Sequence, residues 1–118
     1  MKVVVVDDEA PARLVLCEYL AAHAEVEVVA QCANGFEAVK AVSELQPDLL
    51  FLDIQMPKLD GFEVLELLGD DPPTVIFVTA YDQYAIQAFE VHALDYLLKP
   101  FTAERLAEAL ARARDSRR

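Results

Sequence analysis

Five short apolar runs alternate along the chain with segments whose apolar residues recur every three or four positions. That alternation predicts strands and helices in turn. Lys2–Val6, Val26–Cys32, Asp48–Leu52, Thr74–Thr79 and Ala93–Leu98 are the expected strands. The first, third and fourth read as continuous apolar runs, the pattern of central strands covered on both faces. Pro11 suits the first turn of a helix running to about Ala22, with Leu14, Cys17 and Leu20/Ala21 on one face. Asn34 and Glu37 resemble a capping box for a helix carrying Ala38, Val42 and Leu45, which Pro47 ends. A third helix is expected from Asp60-Gly61 with Val64, Leu65 and Leu68 apolar, and a fourth from Asp82 toward Glu90. Thr102 should cap a fifth, on which Leu106, Leu110 and Ala113 share a face. Five such strand–helix units imply an α/β fold with a doubly wound parallel sheet.

The 118 residues suit one domain, and 55% hydrophobic side chains suffice for a core without disulfide or metal staples. No apolar stretch reaches the roughly 18–20 residues of a membrane helix, and the Met1–Val6 run meets Asp7 too early for a signal peptide. A soluble, cytoplasmic chain is therefore expected. Cys17 and Cys32 have neither zinc-ligand spacing nor a CxxC arrangement, which fits a reducing compartment. With 10 basic and 21 acidic residues the net charge is −11, which repels a nucleic-acid backbone. Direct DNA or RNA binding by this domain is not expected. Arg105, Arg112, Arg114, Arg117 and Arg118 concentrate basic charge at the end of the chain, where an acidic partner could meet it.

In doubly wound sheets ligands bind at the carboxyl ends of the strands, where the strand order reverses. Asp7-Asp8-Glu9, Asp53, Thr79 and Lys99-Pro100 follow four of the expected strands. Asp7, Asp8 and Asp53 with Lys99 sum to about −2, the charge a divalent magnesium ion neutralises. At about 5 Å and an effective dielectric near ~20, each carboxylate pair repels by roughly 3 kcal/mol. Asp53 is a competent nucleophile toward an activated phosphoryl group once a cation offsets that repulsion. Asp8, aided by Asp7, would hold the metal, Thr79 would donate to a phosphoryl oxygen, and Lys99 would pair with another.

Each residue also has a structural alternative. Asp7 or Asp8 could cap the first helix, Lys99 could serve as a carboxylate's structural partner, and Thr79 could be a strand-end residue. Tyr96, between Asp95 and Leu97-Leu98, could be core. Tyr81 and Gln55 flank the proposed phosphoryl site, where they would limit the access of water, or they are solvated loop residues. His23 and His92 read as surface or structural histidines, Met56 as packing in a Met-Pro turn, and the two cysteines as packing residues.

Val5-Val6-Asp7-Asp8-Glu9, Leu52-Asp53-Ile54-Gln55-Met56-Pro57 followed by Asp60-Gly61, Val78-Thr79-Ala80 and Tyr96-Leu97-Leu98-Lys99-Pro100-Phe101 resemble the receiver domain of bacterial two-component response regulators. The resemblance spans essentially the whole chain. Ala80 to Ala85 and Phe89 to Tyr96 are similar to the subgroup joined to LytTR-type DNA-binding domains.

The resemblance implies a flavodoxin-like (βα)5 sandwich of strand order 2-1-3-4-5 over residues 1–118. Residues 111–118 would be the end of the last helix entering a linker. It implies that Asp53 is the phosphoacceptor, supplied by a sensor histidine kinase or a small phosphodonor. Magnesium would be held by Asp8 and Asp53, by the backbone carbonyl of Gln55 and, through water, by Asp7. Lys99 would sense the phosphoryl group, Lys99-Pro100 would be a cis peptide, and Thr79 with Tyr96 would form a switch pair. The fourth helix, fifth strand and fifth helix would then change and control homodimerisation or an output domain. Chemistry would be confined to magnesium-dependent self-phosphorylation and autodephosphorylation.

Nothing follows Arg118, so the expectation is a receiver cut from a longer transcriptional regulator, its DNA binding in the missing part. A stand-alone receiver, or an adaptor that docks without phosphorylation, is the alternative. A flavodoxin-like cofactor module fits poorly, because the loop after the first strand is Asp7-Asp8-Glu9-Ala10-Pro11 and would repel an anionic cofactor. An aspartyl-phosphate phosphatase would need an Asp-x-Asp pair, and here Gln55 stands where the general acid would be.

Overall fold

The structure, a computed structural model, describes residues 1–117. Strands β1 (Lys2–Val6), β2 (Glu27–Cys32), β3 (Leu49–Leu52), β4 (Thr74–Thr79) and β5 (Asp95–Leu98) alternate with helices α1 (Ala10–Leu20), α2 (Gly35–Leu45), α3 (Gly61–Leu68), α4 (Ala85–Glu90) and α5 (Ala103–Ser116). All strand pairs are parallel, in the order β2-β1-β3-β4-β5. This is the doubly wound, flavodoxin-like arrangement expected.

Strand side chains alternate faces, so an uninterrupted apolar run feeds two cores at once. Val4, Val6, Leu50, Leu52 and Phe77 pack beneath α2, α3 and Ala88 of α4. Val3, Val5, Leu49, Phe51, Ile76, Val78 and Leu97 pack on the other face against Leu16 and Leu20 of α1 and Leu106, Ala109, Leu110 and Ala113 of α5.

Local chemistry sets most helix ends. Asn34 accepts from the Glu37 N–H at 2.9 Å, and Glu37 reaches the Ala33 N–H at 3.1 Å, a residue earlier than a capping box would. Asp60 and Glu63 form the full reciprocal box at the start of α3, and Thr102 accepts from the Arg105 N–H at 3.0 Å.

Two helices depart from the expected pattern. On α1, Leu16 and Leu20 face the sheet while Leu14 is 60% exposed. Leu14 precedes Leu16 by two positions, roughly 200° around the helix, so the two cannot share a face. Helix α4 begins at Ala85 rather than Asp82, because Asp82–Tyr84 form a turn and Tyr84 supplies the cap position without a side-chain bond. Residues 111–116 continue α5. Arg118, and with it the end of the expected linker, lies outside the described residues.

The arginines of α5 have partners within the chain. Arg105 clamps Asp95 through two bonds of 2.7 and 3.0 Å, and Arg112 reaches it at 3.1 Å. Arg114 pairs with Glu25, and Arg117 with Asp48 at 3.4 Å.

Burial pushes the Asp95 carboxyl up, but the Arg105 hydrogen bonds, the Tyr96 N–H and both guanidinium charges outweigh it and hold the group below its ordinary value. A carboxyl more acidic in the folded state stabilises the fold fully above its unfolded pKa of about 4. That stabilisation fades as pH falls through the lower folded value. Asp95→Asn should therefore cost about 2 kcal/mol at neutral pH, because a clamped acceptor is lost while Arg105 stays partly solvated. In urea titrations, the gap to wild type should narrow as pH is lowered from about 5 toward 3.

Candidate functional site

The strand order reverses between β1 and β3, and the residues that follow these two strands meet there. Register sets Val6 beside Leu52, so Asp7 and Asp53 leave the sheet side by side, the Asp53 N–H donating to the Val6 carbonyl at 3.0 Å. Asp7 and Asp53 are buried and Asp8 is exposed. One carboxylate oxygen from each lies within 4.8 Å of the other two.

Lys99 arrives from the end of β5, where its N–H donates to the Thr79 carbonyl at 2.8 Å. Its ammonium donates to Asp7 Oδ2 at 2.5 Å and to Asp53 Oδ2 at 3.5 Å. The Lys99-Pro100 bond is cis, as expected. Asp53 Oδ1 accepts from the Ile54 N–H at 2.7 Å. Asp7 Oδ1 accepts from the Glu9 N–H at 2.9 Å, and the cap position of α1 belongs to Glu9, so neither Asp7 nor Asp8 caps that helix.

Burial raises the Asp53 carboxyl to about 6; Lys99 opposes this, and the Asp7 charge adds to it. Burial also acts against the Lys99 ammonium, yet its bonds to Asp7 and the two carboxylate charges outweigh that and raise its pKa. Three carboxylates against one ammonium leave an excess of negative charge. Oxygen donors at this spacing suit a small hard divalent cation, and the donor set therefore fits one.

Thr79 is fully buried at the end of β4, where its Oγ accepts from the Tyr81 N–H at 3.3 Å and keeps its own proton to donate. Tyr96 is half-buried, its ring 6.5 Å from Phe77 and its hydroxyl donating to the Tyr81 carbonyl. It is thus neither wholly core nor free.

Two further residues shape the site. A Cβ on Gly61 would lie 2.6 Å from the Asp53 carbonyl oxygen, so only glycine lets α3 start this close to Asp53. Tyr84 accepts from the Gln55 amide at 2.7 Å, joining the loop after β3 to the start of α4. Gly61 and Gln55 stand in the sequence motif, but Tyr84 carries no signal of this contact, and both contacts depend on loops that meet only in the folded chain. Burial pushes the Cys32 thiol up to about 11 and raises that of Cys17, in keeping with packing roles. His23 lies 3.9 Å from Glu25, and His92 occupies a turn of positive φ after α4.

Fold and site together define a class: a parallel, doubly wound α/β domain with an acidic site suited to a cation at its switch point. The family profile of the response regulator receiver domain matches residues 3–111, and the chain belongs to that family. Receiver domains are signalling proteins that work with histidine kinases, not classical enzymes.

An uncharacterised response regulatory protein of Yersinia pestis is 52% identical over 113 residues, covering 95% of this chain and 48% of that protein. The transcriptional regulatory protein BtsR of Escherichia coli (strain K12) is 48% identical over 118 residues, covering 99% of this chain and 49% of that protein. The chain therefore spans about half the length of these curated relatives. Among solved structures, the response regulatory domain of mrkE from Klebsiella pneumoniae superposes with a TM-score of 0.90 at 32% identity, over 98% of this chain and 97% of that one. The receiver of AraT from Geobacillus stearothermophilus gives 0.86 at 34% identity, over 98% and 93%. Among the described residues, no helix is long and apolar enough to cross a membrane.

The raised Asp53 pKa has a consequence for stability. The unfolded carboxyl titrates near 4, so the folded chain holds this proton more tightly. With chelator present, the full penalty of about 3 kcal/mol applies above about pH 6 and disappears as pH falls toward 4. Magnesium should raise the melting temperature at pH 7.5, and Asp8→Asn should abolish most of that rise. An equal response from both proteins in a thermal scan would sink the proposed metal site.

Proposed function

We propose that this domain is a phosphorylation-driven switch whose phosphoacceptor is Asp53. The observation that carries the reading is the setting of Asp53: a buried carboxylate between an acidic cluster and the Lys99 ammonium, at the sheet's switch point. In the proposed reaction an Asp53 oxygen attacks the phosphorus of a phosphohistidine on a sensor kinase, or of a small acyl phosphate. The new O–P bond forms as the bond to the donor breaks, and the electron pair leaves with the imidazole or carboxylate.

Asp8 and Asp53, with the Gln55 carbonyl and with Asp7 acting through water, would hold magnesium, which when bound offsets the repulsion between the two anions. Lys99 is already beside the Asp53 oxygen and pairs with the added charge. Its shift away from Asp7 ties phosphorylation to β5, whose end also carries the bond to Thr79. Thr79 turns its proton to the phosphoryl oxygen, gives up the Tyr81 N–H, and leaves room for Tyr96 to move inward.

The output is a change on the α4–β5–α5 face. Its exposed apolar side chains support a docking role: Ile86 is 76% and Phe89 82% exposed on α4, and Leu98 on β5 is exposed as well. A second copy of the domain is the proposed occupant after phosphorylation. The named transcriptional role of BtsR, and relatives twice this length, support a regulator in which a further domain reads DNA. The Ala80–Ala85 and Phe89–Tyr96 motifs favour a LytTR-type domain for that part. The net charge of −11 supports leaving nucleic acid to it, and a cytoplasmic site of action accords with a kinase-fed switch.

Intact mass after incubation with acetyl phosphate should show one phosphoryl adduct that requires both magnesium and Asp53. Asp53→Ala should show none; an adduct surviving that substitution would place the chemistry elsewhere. Phosphorylation should also shift the domain toward dimers in sedimentation. Phe89→Asp should weaken that dimer by ~10-fold or more while leaving the adduct intact.

A further inference from the structure

Gln55 follows the Asp53-Ile54 pair on the loop after β3, and its side chain is exposed. With Asp8, Met56, Pro57 and Asp60 it lines an open cleft of about 410 Å³. Through Asp8 this cleft borders the acidic cluster. An exposed glutamine side chain ordinarily samples many rotamers, and fixing it costs entropy. Here its Nε2 donates to the Tyr84 hydroxyl at 2.7 Å.

Tyr84 can serve as a fixed anchor. Its ring stands 6.1 Å from Phe62, on the helix that starts beside Asp53, and 6.4 Å from Tyr81 in an edge-on pair. The Tyr96 hydroxyl bonds the Tyr81 carbonyl, which secures the same loop from β5. The Tyr84 hydroxyl is thus held by packing on two sides and presented to one mobile side chain at the rim of the site.

A carboxamide beside an acyl phosphate can orient the water that hydrolyses it. In that step the water oxygen bonds to phosphorus, the P–O bond to Asp53 breaks, and its electron pair returns to the carboxylate. The water's proton passes to a phosphate oxygen or to solvent. A glutamine whose N–H is already committed to a neighbour is held away from that task. We propose that Tyr84 is a positioning residue that tethers Gln55 and thereby lengthens the life of the phosphorylated state. This rests on the assignment of Asp53 as phosphoacceptor, and extends it to the duration of the signal.

The experiment compares four proteins: wild type, Tyr84→Phe, Gln55→Ala and the double variant. Each is phosphorylated with acetyl phosphate and magnesium, freed of donor, and followed by intact mass. Tyr84→Phe keeps the ring and removes only the hydroxyl, so its melting temperature should match wild type. Its adduct should decay about 3- to 10-fold faster. In the Gln55→Ala background, which keeps the backbone carbonyl, adding Tyr84→Phe should leave the decay rate of that single variant unchanged. Equal lifetimes for wild type and Tyr84→Phe would overturn the tether, as would an undiminished acceleration in the Gln55→Ala background. If no protein forms an adduct, the phosphoacceptor assignment itself falls and takes the tether with it. An adduct with unaltered decay removes the tether alone.

Discussion

Three carboxylates crowded onto one lysine set the terms for this molecule. Asp7, Asp8 and Asp53 converge because β1 and β3 are neighbours in register, and Lys99 answers only part of their charge. The cost is visible in Asp53, whose burial and anionic neighbour raise its carboxyl to about 6. A fold optimised for stability alone would place apolar or paired groups there. Keeping the cluster leaves a site whose excess negative charge suits a small divalent cation.

Short contacts link the site to β5 and to the start of α4. Lys99 binds Asp7 and Asp53 through its side chain and Thr79 through its backbone, so β4 and β5 end at the same point. Tyr96 bonds the loop that follows Thr79, and Tyr84 joins the start of α4 to Gln55. Helix α4 has only six residues and carries Ile86 and Phe89 outward. A short helix with little buried surface shifts or opens at lower cost than a long, well-buried one. The long, well-buried α5 is instead anchored by Asp95 and its arginines.

Much of the fold was legible in the chain. The bounds of β1 and β4 fall where the apolar runs lie, and the caps at Asn34 and Thr102 act as their side-chain chemistry requires. Elements with weaker local signals shifted: β5 starts at Asp95, two residues after the apolar run begins, and α4 starts three residues late. On α1 only Leu14 departs from the expected face: Cys17 and Leu20 pack against the sheet with Leu16, because Leu14 satisfies a helical period without facing the core. Periodicity says that a helix has an apolar side, and the sheet it meets selects which side is covered.

By itself, the sequence determined the βα repeat and the placement of Asp7, Asp8, Asp53, Thr79 and Lys99 at strand ends. Those properties follow from local periodicity and from residue chemistry, which neighbours along the chain specify. Only the tertiary structure decided which oxygen Lys99 meets, that Gly61 must be bare beside Asp53, that Asp95 gathers two arginines, and that Tyr84 holds Gln55. Each of these contacts joins segments brought together by strand order and register, and no local pattern encodes the distance between two loops.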